Sequence, residues 1–156
     1  SIVSRSKEMI GAVESALDEL KVRIISYKLH GVTPDETYYT VESYSEDLRR
    51  WRGVISIQSN QRTLLSKNNI VLLSKNIAFV FIGWKYSVTT DGGKTWHKWD
   101  GESELPNWKC CASDLIQRVI MSPDGNGAMT LRFKPNSSLE VMQLRTQNYG
   151  KSWKAD

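Results

Sequence analysis

The sequence predicts a single α+β domain in which β structure dominates: an N-terminal amphipathic helix followed by an antiparallel meander sheet or a partial-propeller-like arrangement. Three observations lead there. Residues 4 to 20 carry apolar side chains at three- and four-residue steps, the period changes to two from Val22 onward, and short strand-like runs then alternate with turn clusters to the C-terminus. With 156 residues the chain fits one core, in which 1–20 is a leader helix packed on the sheet and 21–156 is the β-rich body. The same length is far too short for a complete six-bladed propeller.

The helix is expected because Ile10, Val13, Leu17 and Leu20 fall on one helical face and Ser4 or Ser6 can cap its start. Val22, Ile24 and Tyr27 then open a strand to about Leu29. His30, Gly31 and the Thr33, Pro34, Asp35 cluster turn the chain into a second strand over 37–44. Residues 45 to 51 are expected to form one helical turn, and 53–58, 64–65, 70–73 and 77–88 read as successive strands. The echo of Leu64 to Asn68 in Leu72 to Asn76 matches the spacing of short strands in a meander. Further strands are expected over 115–121, 129–133 and 139–146, the first two joined by the turn Pro123, Asp124, Gly125, Asn126, Gly127.

Composition excludes several classes of protein. No apolar run approaches the roughly 20 residues that span a bilayer, and Ile77 to Trp84 is a buried strand by its length and β-branched content. A formal charge of +4 invites a nucleic-acid reading, yet 21 Lys and Arg are scattered among 17 Asp and Glu without a basic stripe, so no nucleic-acid partner is expected. Cys110 and Cys111 are adjacent, which gives neither a separated pair for a stapling disulfide nor a metal-ligand spacing. The sequence opens on Ser1, which is taken as a sign of a processed, exported chain.

The octet Thr89, Thr90, Asp91, Gly92, Gly93, Lys94, Thr95, Trp96 resembles the Asp-box (BNR) motif of sialidase-type proteins at every defined position. A second copy, Thr146, Gln147, Asn148, Tyr149, Gly150, Lys151, Ser152, Trp153, has Asn148 where the motif has Asp. The chemistry follows from the residues. A carboxylate or amide at the head of a tight turn accepts backbone N–H groups, glycine takes positive φ, and Trp folds over the turn. The resemblance implies a structural β-hairpin and not sialidase activity, so Thr89, Asp91, Gly93, Thr95 and Trp96, with Asn148, Gly150, Ser152 and Trp153, are assigned as structural residues.

No residue set points to catalysis. His30 and His97 lack metal spacing, the glycines sit in hairpin turns and not between a strand and a helix, and Asp124 with Asn126 lacks the closing glutamate of a calcium loop. No cofactor and no metal are expected, and the chain is read as a non-enzyme. Binding potential concentrates between Trp96 and Asp114, where an exposed aromatic and acidic loop is expected. Its candidate partner-binding residues are Trp99, Asp100, Glu102, Glu104, Trp108 and Asp114.

In size, architecture and sequence flavour the chain also resembles the periplasmic immunity proteins that neutralise antibacterial toxins of the type VI secretion kind. That resemblance implies a cognate toxin as partner, active-site occlusion by the acidic loop, and a periplasmic or otherwise exported location. Two other readings stand beside it. One is a glycan-binding or cell-surface Asp-box module with exposed Trp stacking on sugars, and the other is an assembly factor.

Overall fold

The computed structural model describes residues 7–31, 36–59, 65–105, 115–133 and 140–156. They form three four-stranded antiparallel sheets, each a simple meander. The first holds β1 (Lys7–Leu17), β2 (Leu20–Leu29), β3 (Glu36–Ser45) and β4 (Arg50–Ser59). The second holds β5 (Ile70–Leu72), β6 (Ala78–Ile82), β7 (Lys85–Thr89) and β8 (His97–Asp100). The third holds β9 (Leu115–Met121), β10 (Gly127–Phe133), β11 (Glu140–Thr146) and β12 (Lys154–Ala155). Helical structure among the described residues is limited to a 3-10 turn, Lys67–Asn69, and one short helix, α1 (Gly101–Glu104).

The expected α+β class is therefore overturned at its first element, because the described part of the leader helix is a strand. β1 pairs with β2 in register from Leu17↔Leu20 to Lys7↔Leu29, around a two-residue turn in which Asp18 takes φ +53. Two features hid it. A bulge between Met9 and Gly11 shifts the alternation, and the residues that then face inward are Gly11, Val13 and Ser15, of which only Val13 is apolar. The apolar residues at helical spacing are used differently: Val13 packs on the core, whereas Leu17 stays exposed. β2 supplies the reason, since its inward Leu20, Val22 and Ile24 demand a partner strand, and a ladder along the whole of β1 outweighs a weak helical pattern interrupted by glycine.

Two smaller expectations also change. Residues 46 to 49 form a non-helical turn with Arg49 at φ +51. The single strand expected over 77–88 is two, because Gly83 takes φ +58 and turns the chain back as a hairpin. The expected Thr33 to Asp35 turn, Leu64 and the strand residue Leu139 lie outside the described residues, and Leu65, expected in a strand with Leu64, is in none.

The sheets stack face to face with the second in the middle. Its strand β6 is buried at every position and divides its side chains between two cores. Ala78, Val80 and Ile82 join Val22, Ile24, Tyr39, Val41 and Ile57 of the first sheet. Phe79 and Phe81 join Met129, Leu131 and Leu144 of the third. An uninterrupted apolar run is what a strand covered on both faces requires.

Both box octets occupy the same place in their sheets, the turn between the third and fourth strands. Each also reaches the sheet before it. A Cβ on Gly93 would lie 3.0 Å from Leu20 Cδ1 and Ser43 Oγ of the first sheet, and Trp96 packs on the core between the first and second. Gly150 sits on Tyr86 of the second sheet, and Trp153 lies in the second core with its ring centroid 5.3 Å from that of Tyr86, edge to face. The boxes thus fasten sheet to sheet as well as strand to strand.

Gly150→Ala is expected to destabilise the fold by about 2 to 4 kcal/mol, read from urea denaturation, because φ is +84 and the new Cβ would come within 2.5 Å of Tyr86 Cε1 and Cζ. Gly53→Ala, with nothing within 4 Å of its Cβ, serves as the control and should change stability by less than about 0.5 kcal/mol.

Candidate functional site

The two boxes are built alike. In the first, Thr89 Oγ1 accepts the Gly93 amide at 2.8 Å and donates to Asp91 Oδ1 at 2.9 Å, while Asp91 Oδ1 also accepts the Thr95 amide at 2.9 Å. In the second, Thr146 Oγ1 accepts the Gly150 amide at 2.8 Å and donates to Asn148 Oδ1 at 2.8 Å, and that oxygen accepts the Ser152 amide at 3.0 Å. They differ in one bond. Thr95 Oγ1 donates to Asp91 Oδ2 at 2.5 Å, whereas Asn148 Nδ2 donates to Ser152 Oγ at 2.9 Å. The hydroxyl reverses its role, so Asn keeps this side-chain bond in place of Asp.

Partial burial of Asp91 on its own raises its carboxyl pKa, but the hydrogen bonds from the Thr95 hydroxyl and amide, the Thr89 hydroxyl and the Lys94 amide together outweigh it and hold the group below the usual carboxylate range. Asp124 is held low in the same way by Ser122 and Asn126: its Oδ1 accepts the Ser122 hydroxyl at 2.7 Å and the Asn126 amide at 3.0 Å. These carboxylates are committed to their turns. Among the described residues no group of three His, Cys, Asp or Glu side chains is placed to hold a metal ion.

The structure separates the candidate partner-binding residues. Trp99 is on strand β8 and only 4% exposed, packed in the second core, so the expected exposed loop does not include it. The cause is register: Trp99 pairs with Tyr86, which places both rings on the same inward face. Asp100 follows as the N-cap of α1, its Oδ1 accepting the Glu102 amide at 2.9 Å. Glu102 and Glu104 project into solvent. Trp108 and Asp114, with Cys110 and Cys111, lie outside the described residues.

The acidic turn has a firm base. The Gly101 amide donates to the Trp84 carbonyl at 3.1 Å and the Leu105 amide to the Gly101 carbonyl at 3.1 Å, so the two glutamates stand on a turn tied to the β6–β7 hairpin and to buried Trp99. Comparison with protein-family models, curated proteins and solved structures finds no match.

Sequence reasoning missed Tyr86 as the seat of the second box. Its hydroxyl donates to the Tyr149 carbonyl at 2.8 Å, and burial pushes its pKa well above the ordinary tyrosine range. Nothing local marks it, because the partner lies in another sheet.

Asp91→Ala is expected to cost about 0.5 to 2 kcal/mol in chemical denaturation at neutral pH. Asp91→Asn should cost less, since Asn148 shows the substitute bonding pattern. Because Asp91 has a folded-state pKa below its unfolded one, its contribution is present above about pH 4 and is lost as pH falls through the folded value. The Asn variant should therefore lose less stability than the parent between neutral pH and pH 3 in paired denaturation curves.

Proposed function

We propose that this chain is a non-catalytic protein-binding module that acts as an immunity protein, covering the active site of a secreted antibacterial toxin in an exported compartment. One observation carries the reading: the fixed acidic turn at the end of β8, where Glu102 and Glu104 are exposed while Asp100 caps the helix and Trp99 anchors it in the core. Carboxylates held on a rigid base lose little conformational freedom on binding and steer a partner whose cleft is basic.

The glycan-binding alternative is less well served. Its candidate sugar platform, Trp99, is inside the core, and Trp51 carries the Arg23 guanidinium 4.0 Å from its ring centroid. The partner is thus better sought among proteins with a cationic cleft.

Co-expression in a Gram-negative host with the product of each gene adjoining its own, choosing those that arrest growth, tests the proposal. The parent chain should restore growth, and the double variant Glu102→Lys, Glu104→Lys should lose protection while its thermal melt stays within a few degrees of the parent. Failure of the parent to protect, or full protection by the double variant, rejects the reading.

A further inference from the structure

Stacking three sheets leaves two end faces, and the molecule treats them differently. The outer face of the first sheet is largely covered by its own charged and aromatic side chains, with Met9 at the β1 edge left 62% exposed. Lys7 lies over Tyr27 and Tyr38, Lys21 over Tyr44 and Arg23 over Trp51, while Ser56 Oγ hydrogen-bonds the Tyr38 hydroxyl. Arg23 also pairs with Glu42 at 2.9 Å. Under this cover Ile25, on the same outer face and absent from both cores, is only 6% exposed.

Among the described residues the outer face of the third sheet has no such cover. Its inward residues, Met129, Leu131 and Leu144 among them, belong to the second core, so the alternate residues point out. Register sets these in rows. Ile120, Ala128, Arg145 and Lys154 form one, Arg118, Thr130 and Gln143 the next, and Arg132 with Val141 a third. Ile120 is 53% and Val141 57% exposed. Arg145 pairs with Asp156 at 3.2 Å, whereas Arg118 and Arg132 have no ion pair among the described residues. A cleft of 560 Å³ opens on this face between Ile120 and Arg145 and the turn residues Ser122 and Gln147.

We infer that the outer face of the third sheet is a second protein-docking surface, and that its partner presents carboxylates interspersed with branched apolar side chains. Charge and shape select that occupant. Arg118, Arg132, Arg145 and Lys154 face a single carboxylate of the described residues, Asp156, and guanidinium groups pair carboxylates with two parallel hydrogen bonds. Ile120 and Val141 gain from apolar contact. Among the described residues the face carries no aromatic ring on which a base could stack, which favours a protein over a single-stranded nucleic acid. A second copy fits less well, because the remaining end face mixes Lys7, Lys21 and Arg23 with Glu14 and Glu42 and so offers no excess of carboxylates. The surface is on a different sheet from the acidic turn of α1, so either reading can fail alone.

The test uses the full chain and a fluorescein-labelled peptide, Glu-Thr-Val-Thr-Glu-Thr-Val-Thr-Glu, which places glutamate and valine alternately on one side of an extended strand. Anisotropy should show saturable binding at micromolar to millimolar concentration. Affinity should fall at least tenfold with Arg118→Glu, Arg145→Glu and at least threefold with Ile120→Asp, while circular dichroism is unchanged and Glu102→Lys, Glu104→Lys binds as the parent. Should the charge-reversed variant misfold, Arg118→Gln, Arg145→Gln provides the same comparison with the same expected direction. The inference is overturned by absence of binding, by equal binding of a peptide with lysine in place of each glutamate, or by affinity unchanged in the arginine variants. Tighter binding of a labelled oligothymidylate would assign the face to nucleic acid instead. A dimer in sedimentation velocity that Ile120→Asp dissolves would assign it to a second copy.

Discussion

The packing of each box glycine against the preceding sheet is the constraint from which the rest of this architecture follows. Gly150 has Tyr86 where a Cβ would be, and Gly93 has Leu20 and Ser43 at the limit of tolerable approach. A turn that tightly seated fixes the separation and orientation of two sheets at once. Threonine hydroxyls at the head of each octet hold the glycine amides, and the tryptophans at the end fill the inter-sheet cores, so local hydrogen bonding and long-range packing are set by the same residues. The aspartate in one box and asparagine in the other show that what the site needs is an acceptor for two amide or hydroxyl donors. Net charge is secondary, and it confines acid sensitivity to one of the two clamps.

Once the sheets are clamped, their faces are no longer equivalent. The middle sheet spends both of its faces on cores, which is why β6 is apolar throughout and why Ser87 and Thr89, the buried polar residues of β7, are satisfied locally. Anything the molecule does to another molecule falls to the end faces, the sheet edges and the turns. Of these, the acidic turn of α1 and the basic outer face of the third sheet carry opposite charge, and they sit on different sheets.

Much of the strand pattern was legible. β2, β3, β5, β9, β10 and β11 follow the alternation of Val, Ile, Tyr and Leu in the sequence, and the box octets and the Pro123 to Gly127 turn announce themselves by residue type. β1 was not legible, since its inward positions after the bulge are Gly11, Val13 and Ser15, a poor signal for a strand whose cohesion comes from its pairing with β2. The Gly83 hairpin was hidden inside a long apolar run, because a strand buried on both faces has no alternation to break. The candidate site was legible in part. Glu102 and Glu104 are exposed as their composition implies, but Trp99 reads the same from sequence whether it anchors a core or a partner, and its cross-strand neighbour Tyr86 is what turns it inward.

By itself the sequence determined the two box turns and the Pro123 to Gly127 turn, because these depend on the φ of a glycine and on hydrogen bonds reaching only a few residues along the chain, whereas the turns at Asp18, Arg49 and Gly83 were not read from it. It also determined which segments are apolar enough to be buried. Which face each segment buries, against which sheet, and which apolar and charged residues are then left over at Ile120, Val141, Arg118 and Arg132 were decided only in the tertiary structure. The physical reason is that burial is a property of pairs of surfaces, and the partners of these strands are far away in the sequence.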